Sequence, residues 1–240
     1  MVAKSERLCV IIPVCDQVDV IRTVLAKWDE ELERLGADYE IRPWNNGSRD
    51  ASLAVMKAFA VTHPRISVRT KERTGRGNTI ITGCRDAAHD GFDWIFQVGA
   101  DDDMGPAHFD ELWSRRDDYD LLVGTRDGRR QSFPSRMVSL ISRICVRLFY
   151  GRGVWDVNTP YRLMRVSSFA KYFDAMSLNT VTPNVIISGV AARDGMRFYE
   201  TGIPPRMWGP AAASIIWWKL AKAAVRSFAQ TISFSKVRPE

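Results

Sequence analysis

Cysteine is scarce in this chain and carries no pattern. Four occur, Cys9, Cys15, Cys84 and Cys145, without CxxC spacing. That excludes a disulfide-stapled scaffold and a zinc ribbon, and it predicts buried, reduced thiols. The three histidines, His63, His89 and His108, are too scattered to suggest a zinc site. No run reaches the ~18 apolar residues that span a bilayer. The start, Met1 to Arg7, is polar and the apolar stretch behind it is only a strand long, so no secretory leader is expected, and a reducing, cytoplasmic setting is. The GxGxxG fingerprint is missing after the first apolar run, which disfavours NAD binding, and no glycine loop ends in the GK[ST] of a P-loop.

What is present suits one sizeable folded unit. Hydrophobic residues make up 45% of 240 positions, enough for a real core. The formal charge is +6, a surplus that suits nucleic acid, an anionic membrane surface or a phosphorylated substrate. The basic residues read as dispersed and no nucleic-acid-binding motif is visible, so a nucleic-acid partner is not expected.

Strand and helix patterns alternate. Leu8 to Val14 reads as a buried strand. Asp16 precedes a helical pattern carrying Val20, Val24, Leu25, Trp28, Leu32 and Leu35, with Gly36 placed as its C-cap. Tyr39 to Trp44 is a second strand. The turn Asn45-Asn46-Gly47-Ser48 follows, then a helix with Leu53, Val55, Met56 and Phe59, capped by Ser48 or Asp50. Ile66 to Thr70, Asp93 to Val98 and Tyr119 to Thr125 are three more strands, and a helix starts near Pro106. Beyond residue 126 the pattern loosens: a basic amphipathic helix over Arg136 to Gly151, a strand over Asp156 to Val166, a helix over Pro183 to Asp194 ended by Gly195, a strand over Met196 to Ile203, and a helix over Ala211 to Ser235. The alternation predicts an α/β fold with a mostly parallel central sheet and helices on both faces. Residues 1–210 form the expected domain. Residues 211–240 are an amphipathic helix and tail, either part of that unit or membrane-interfacial.

In such sheets ligands bind beyond the carboxyl ends of the strands. Three chemically distinctive loops follow strands here: Asn45-Asn46-Gly47, the basic Arg73 to Asn78, and the acidic Asp101-Asp102-Asp103. They are expected along one edge. Arg73 and Arg76 stand beside two glycines at a helix start, a setting that favours phosphate oxygens. In the acidic run Asp101 and Asp103 can face one side with Asp102 opposed. Carboxylates held that close suit Mg²⁺ or Mn²⁺, which bind one or two carboxylates and keep places for diphosphate oxygens. A solvated acidic turn before the Pro106 helix accounts for the same residues.

The ordered segments VIIPV (Val10 to Val14), NNGSRD (Asn45 to Asp50), ERTGRGNTIITG (Glu72 to Gly83), FQVGADDDM (Phe96 to Met104), VGTR (Val123 to Arg126) and DVNTPYRLMR (Asp156 to Arg165) resemble family-2 glycosyltransferases of the GT-A fold. Within them the match is to the dolichol-phosphate and polyprenyl-phosphate sugar-transferase branch, over about residues 7 to 210. The resemblance implies an inverting, metal-dependent transferase that takes a sugar from a nucleotide diphosphate sugar, UDP rather than GDP. It places Pro13, Val14, Asp16, Asn45 and Asn46 around base and ribose and Arg76 near the nucleotide. Asp101 becomes the main metal contact, with Asp103 in support, because the first acidic position of the family motif is Gly99. Arg126, Arg136 and Arg162 would surround the diphosphate and acceptor phosphate. Asp156 is the best candidate for a catalytic base.

A phosphate acceptor is already anionic and needs no base, whereas a hydroxyl does. Thr180 to Asn184, where such a base often lies, carries no acid. That favours a polyprenyl phosphate acceptor. The basic amphipathic helices, with Trp217 and Trp218 beside Lys219, suit peripheral membrane binding, though packing on the domain explains their apolar stripes equally well. Two alternatives stay open: a catalytically degenerate relative that binds nucleotide sugar or scaffolds a glycan pathway, and a transferase for a soluble hydroxyl acceptor.

Overall fold

The computed structural model describes residues 6–102, 104–126, 144, 146–151, 157–204 and 217–239, with the backbone alone at 126 and 217–224. Seven strands form one sheet: β1 (Arg7–Val14), β2 (Asp38–Asn46), β3 (Arg69–Lys71), β4 (Trp94–Gln97), β5 (Leu121–Arg126), β6 (Arg162–Arg165) and β7 (Phe198–Ile203). Their order is β3-β2-β1-β4-β6-β5-β7. Every pairing is parallel except those of β6, which runs against both β4 and β5. The expected α/β architecture is what the chain adopts.

The central strand shows why. All of β1 from Leu8 to Ile12 is excluded from solvent, and its side chains alternate between two cores. Leu8, Val10, Ile12 and Val14 join one cluster with Trp28, Trp94 and Phe96. Cys9 and Ile11 join the other with Ile80, Cys84 and Ile95. A strand apolar at consecutive positions is thus buried on both faces, as parallel sheets require. One layer holds α1 (Ile21–Arg34), α2 (Ser52–Ala60) and α4 (Phe109–Ser114). The other holds α3 (Arg76–His89), α5 (Val166–Ala175) and α6 (Pro183–Arg193). A last helix, α7 (Trp217–Phe234), follows β7, and residues 144 and 146–150 are helical as well.

Helix ends follow the sequence closely in places. Gly36 has φ +64° behind α1, and the amide of Ala37 donates to Leu32 O at 3.2 Å, the bond that closes a Schellman turn. Gly195 (φ +65°) repeats this behind α6, with Met196 N donating to Ala191 O at 3.0 Å. The cap expected at α2 differs: its N-cap is Ala51, which makes no side-chain capping bond, while Asp50 accepts from Ser52 N at 2.9 Å and Ser48 Oγ accepts from Asp16 N at 3.1 Å.

Three expectations need correction. Ile66 to Thr70 is not a full strand: Ile66 makes an isolated bridge to Ile41, and β3 spans only Arg69–Lys71. In the stretch read as a strand from Asp156 to Val166, residues 157–161 form a turn and β6 starts at Arg162. Val166 itself opens α5, a helix the sequence reading did not separate from that strand.

Candidate active site

Strand order places the site. The chain leaves β1 toward β2 on one side and later returns to add β4 on the other, so the loops behind β1 and β4 diverge and leave a crevice at their carboxyl ends. The loops behind β2 and β3 extend this edge.

These loops are stitched by side chains. Asn45 and Asn46 end β2 almost fully buried. Asn45 Oδ1 accepts from Ser48 N at 3.2 Å, and Asn46 Oδ1 accepts from Thr74 N at 3.0 Å. Gly47 (φ +63°) is required by the same approach: a Cβ there would lie 2.8 Å from the backbone nitrogen of Arg73. Asp16 has φ +53°, and its carboxylate accepts from Arg49 N at 2.7 Å and from Arg73 Nη2 at 3.0 Å. The Arg49 amide first, then the Arg73 guanidinium, hold its carboxyl below the usual aspartate range. Gln17 N donates to Ser52 Oγ at 2.8 Å and Val18 N to Asp50 at 3.1 Å. Burial raises the Asp50 pKa, but the bonds from Ser52 and Val18 overcome this and leave it below its ordinary value. Pro13 and Val14 lead into this loop, Pro13 half-buried and Val14 buried.

The acidic run splits by direction. Asp102 adopts φ +52°, is buried, and forms an ion pair with Lys27 of α1 at 2.5 Å. Asp101 is exposed and turns back over Gly99: a Cβ on Gly99 would lie 2.6 Å from Asp101 Oδ1 and 3.7 Å from Arg76 Nη2. One guanidinium and one carboxylate therefore flank the glycine that stands where the family motif has its first acid. Asp103 lies outside the described residues, as do Arg136 and Asp156, and Arg126 is described only as the backbone end of β5. Among the described residues no group of three or more His, Cys, Asp or Glu is placed to hold a metal. A Mg²⁺ or Mn²⁺ ion needs only one or two protein carboxylates when diphosphate oxygens and water complete its shell. Exposed Asp101, beside Arg76, fits that requirement.

A cavity of about 160 Å³ opens next to Arg76. Its walls are the first turn of α3, the turn at Asn158 and Pro160, and residues 181–184 entering α6. Gly77 makes this approach possible, because a Cβ there would overlap the Thr180 carbonyl oxygen and lie 2.7 Å from that of Val181. The N-cap residues Gly75 and Thr182 make no side-chain capping bond, so both helices bring their positive ends to the cavity. Asn184 is buried and donates from Nδ2 to Thr159 O at 3.1 Å, leaving Oδ1 without a partner. None of the described residues lining this cavity is acidic.

Arg162, expected beside the phosphates, lies beneath the cavity. It is completely buried and donates to Thr159 O (2.7 Å), Val157 O (2.8 Å), Asn184 O (3.1 Å) and Ser188 Oγ (2.9 Å). It fastens the 157–160 turn to α6 and so shapes the wall. Sequence reasoning missed this use and missed Asn184. The signal was a polar residue inside an apolar run, since Asn184 precedes Val185, Ile186 and Ile187.

A seven-stranded α/β sheet with this crevice belongs to the GT-A class of glycosyltransferase folds. A glucosyl-3-phosphoglycerate synthase from Mycobacterium tuberculosis, solved with phosphoglyceric acid, superposes with a TM-score of 0.66 at 12% identity, covering 98% of this chain and 82% of that one. The same enzyme with Mn²⁺ and UDP-glucose gives 0.65 at 12% identity, covering 98% and 81%. The Glycosyl transferase family 2 model matches residues 9–173, and the chain is a member of that family. Among curated proteins it is 27% identical to an undecaprenyl-phosphate 4-deoxy-4-formamido-L-arabinose transferase of Enterobacter sp. (strain 638), over 67% of this chain and 49% of that protein. The Klebsiella pneumoniae counterpart is 24% identical with the same coverage. The chain thus spans about half the length of the curated relatives it matches.

Proposed function

We propose that the chain transfers a sugar from a nucleotide diphosphate sugar, UDP-linked, to a lipid phosphate of the polyprenyl class, with inversion at the anomeric carbon. One observation carries this reading: the cavity beside Arg76 gathers two helix N-termini and shows no acidic residue among its described lining. An anionic acceptor is stabilised in such a place, and it needs no base to deprotonate it. The undecaprenyl-phosphate transferases among its relatives support the acceptor class. The UDP-glucose held by a neighbour in fold supports the donor class.

In this reading an acceptor phosphate oxygen attacks the anomeric carbon while its bond to the diphosphate breaks, and the nucleoside diphosphate leaves. Asp16, Asn45 and Asn46 shape the end of the crevice that takes base and ribose. Arg76 meets the diphosphate, where negative charge grows. Arg126 and Arg136 are proposed as further phosphate contacts, with Asp103 as a second metal carboxylate. Arg162 acts as a positioning residue through Thr159 and Asn184. The unpartnered Asn184 Oδ1 calls for a ligand hydroxyl or amide, which a sugar presents. Asp101 would hold a divalent cation, which when bound offsets the charge of the departing diphosphate. Membrane association, at the cytoplasmic face, follows from the acceptor.

A thermal-shift panel of UDP-, GDP- and dTDP-sugars with and without Mn²⁺ identifies the donor. Transfer is then assayed on undecaprenyl phosphate and on soluble hydroxyl acceptors. Transfer to the soluble acceptor alone would reject the lipid-phosphate reading and bring back Asp156 as base. A second reading, nucleotide-sugar binding without transfer, is favoured by Gly99. Mn²⁺-dependent donor turnover that disappears in Asp101→Ala excludes it.

A further inference from the structure

The basic residues are segregated, not dispersed. Between Asp127 and Asp156 stand six arginines and no acid, and between Glu200 and Glu240 six lysines and arginines and no acid. The rest of the chain carries 22 basic and 28 acidic residues, so the positive excess belongs wholly to these two stretches.

The described parts of these stretches, residues 144 and 146–151 and α7, meet in space. The rings of Phe149 and Phe228 lie 6.4 Å apart, nearly perpendicular, and Tyr150 Oη donates to Thr231 O at 2.6 Å. Seven large hydrophobic side chains are exposed among the described residues. Six of them, Ile144, Leu148, Phe149, Leu178, Val225 and Phe228, sit on this helix pair or on the loop it holds. Leu148 is 73% exposed and Val225 70%. Leu178 belongs to the group because its neighbour Asn179 accepts at its carbonyl from Gln230 (2.9 Å) and Arg226 (3.4 Å) of α7. Arg147 and Arg226 are exposed on the same two helices.

Nucleic-acid interfaces are polar and strongly positive, which six exposed large hydrophobic side chains do not suit, and the core of a protein interface is depleted of charged residues as a group. Aliphatic and aromatic side chains set among cations, without any acid in either stretch, match the two components of an anionic lipid surface. We propose that this face, built from residues 144 and 146–151 and α7, docks peripherally on a bilayer rich in anionic lipid. The inference is independent of the donor and acceptor assigned above, because it rests on the surface alone.

The test is co-flotation of the 240-residue chain with two kinds of vesicle, phosphatidylcholine alone and phosphatidylcholine mixed with phosphatidylglycerol, both free of polyprenyl phosphate. The chain is expected to float with the phosphatidylglycerol vesicles and to be released by raised salt. The double variant Leu148→Glu/Val225→Glu should lose at least roughly tenfold in affinity, given the transfer energy of two aliphatic side chains. Val61→Glu, at the remaining exposed hydrophobic position on α2's far end, should bind as wild type. Melting temperatures of both variants within the wild-type range establish that they fold. Equal binding to neutral vesicles, unchanged binding by the double variant, self-association that the double variant abolishes without any vesicle binding, or retention on nucleic acid alone would each overturn the proposal.

Discussion

Adjacent aspartates in this chain have opposite jobs, and mutation separates them. Asp101 is exposed and makes its case at the crevice; Asp102 is buried against Lys27 in a left-handed conformation that short polar side chains tolerate best. Asp101→Ala should leave the melting temperature unchanged and remove the Mn²⁺-dependent shift with UDP. Asp102→Ala should instead cost about 2 kcal/mol, from the lost pair and the strained alanine, read by urea denaturation. Gly99→Ala tests the geometry between them. Its Cβ meets the movable end of the Asp101 side chain, so the fold should survive while the carboxylate rotates and Mn²⁺-dependent UDP binding weakens. At the crevice the acid response belongs to Asp16 and Asp50, whose folded pKa values are both depressed, while Glu111, Asp120 and Asp194, also depressed, contribute elsewhere. Their stabilisation is complete above the unfolded value near ~4 and is lost as pH falls through the folded values. Asp50→Asn should therefore lower the neutral melting temperature and flatten its decline in acid.

At the level of elements, Gly77 joins two halves of the site. Its replacement by alanine sets a Cβ against the backbone carbonyls of Thr180 and Val181, which have no cheap way to yield. The expected cost is about 1–3 kcal/mol, together with loss of transferase turnover as α3 and residues 180–184 are forced apart. Differential scanning calorimetry and a donor-turnover assay read the two effects. The loops behind strands were legible because turn residues and glycines announce themselves locally: Asn45 to Gly47, Arg73 to Gly77 and Asp101 do gather at one edge. The helix Val166–Ala175 was not, because its first residue follows β6 directly and the apolar Leu163 and Met164 of that strand are continued past Arg165 by the helix's own Val166, Phe169 and Phe173. Nor does local pattern show that Arg162 points inward. Its partners Asn184 and Ser188 lie 22 and 26 residues away, and only the folded sheet places them beside it.

On the scale of the whole molecule, α7 is more than a tail. Gln230 Oε1 accepts from Val181 N at 2.9 Å, and Ser227 is hydrogen-bonded to Thr182. Val181 and Thr182 line the cavity beside Arg76. Gln230→Ala should raise KM for the acceptor more than it changes UDP binding, since it frees one wall and leaves the β1, β2 and β4 loops intact. A helix that braces the cavity on one side and shows Val225 and Phe228 to solvent on the other makes that wall and the proposed docking face a single rigid piece. For a catalyst so built that takes the proposed lipid acceptor, the controlling variable would be acceptor density within the plane of the bilayer. Its rate should fall when the lipid substrate is diluted among inert lipids at constant bulk concentration, the behaviour of an enzyme that works in two dimensions.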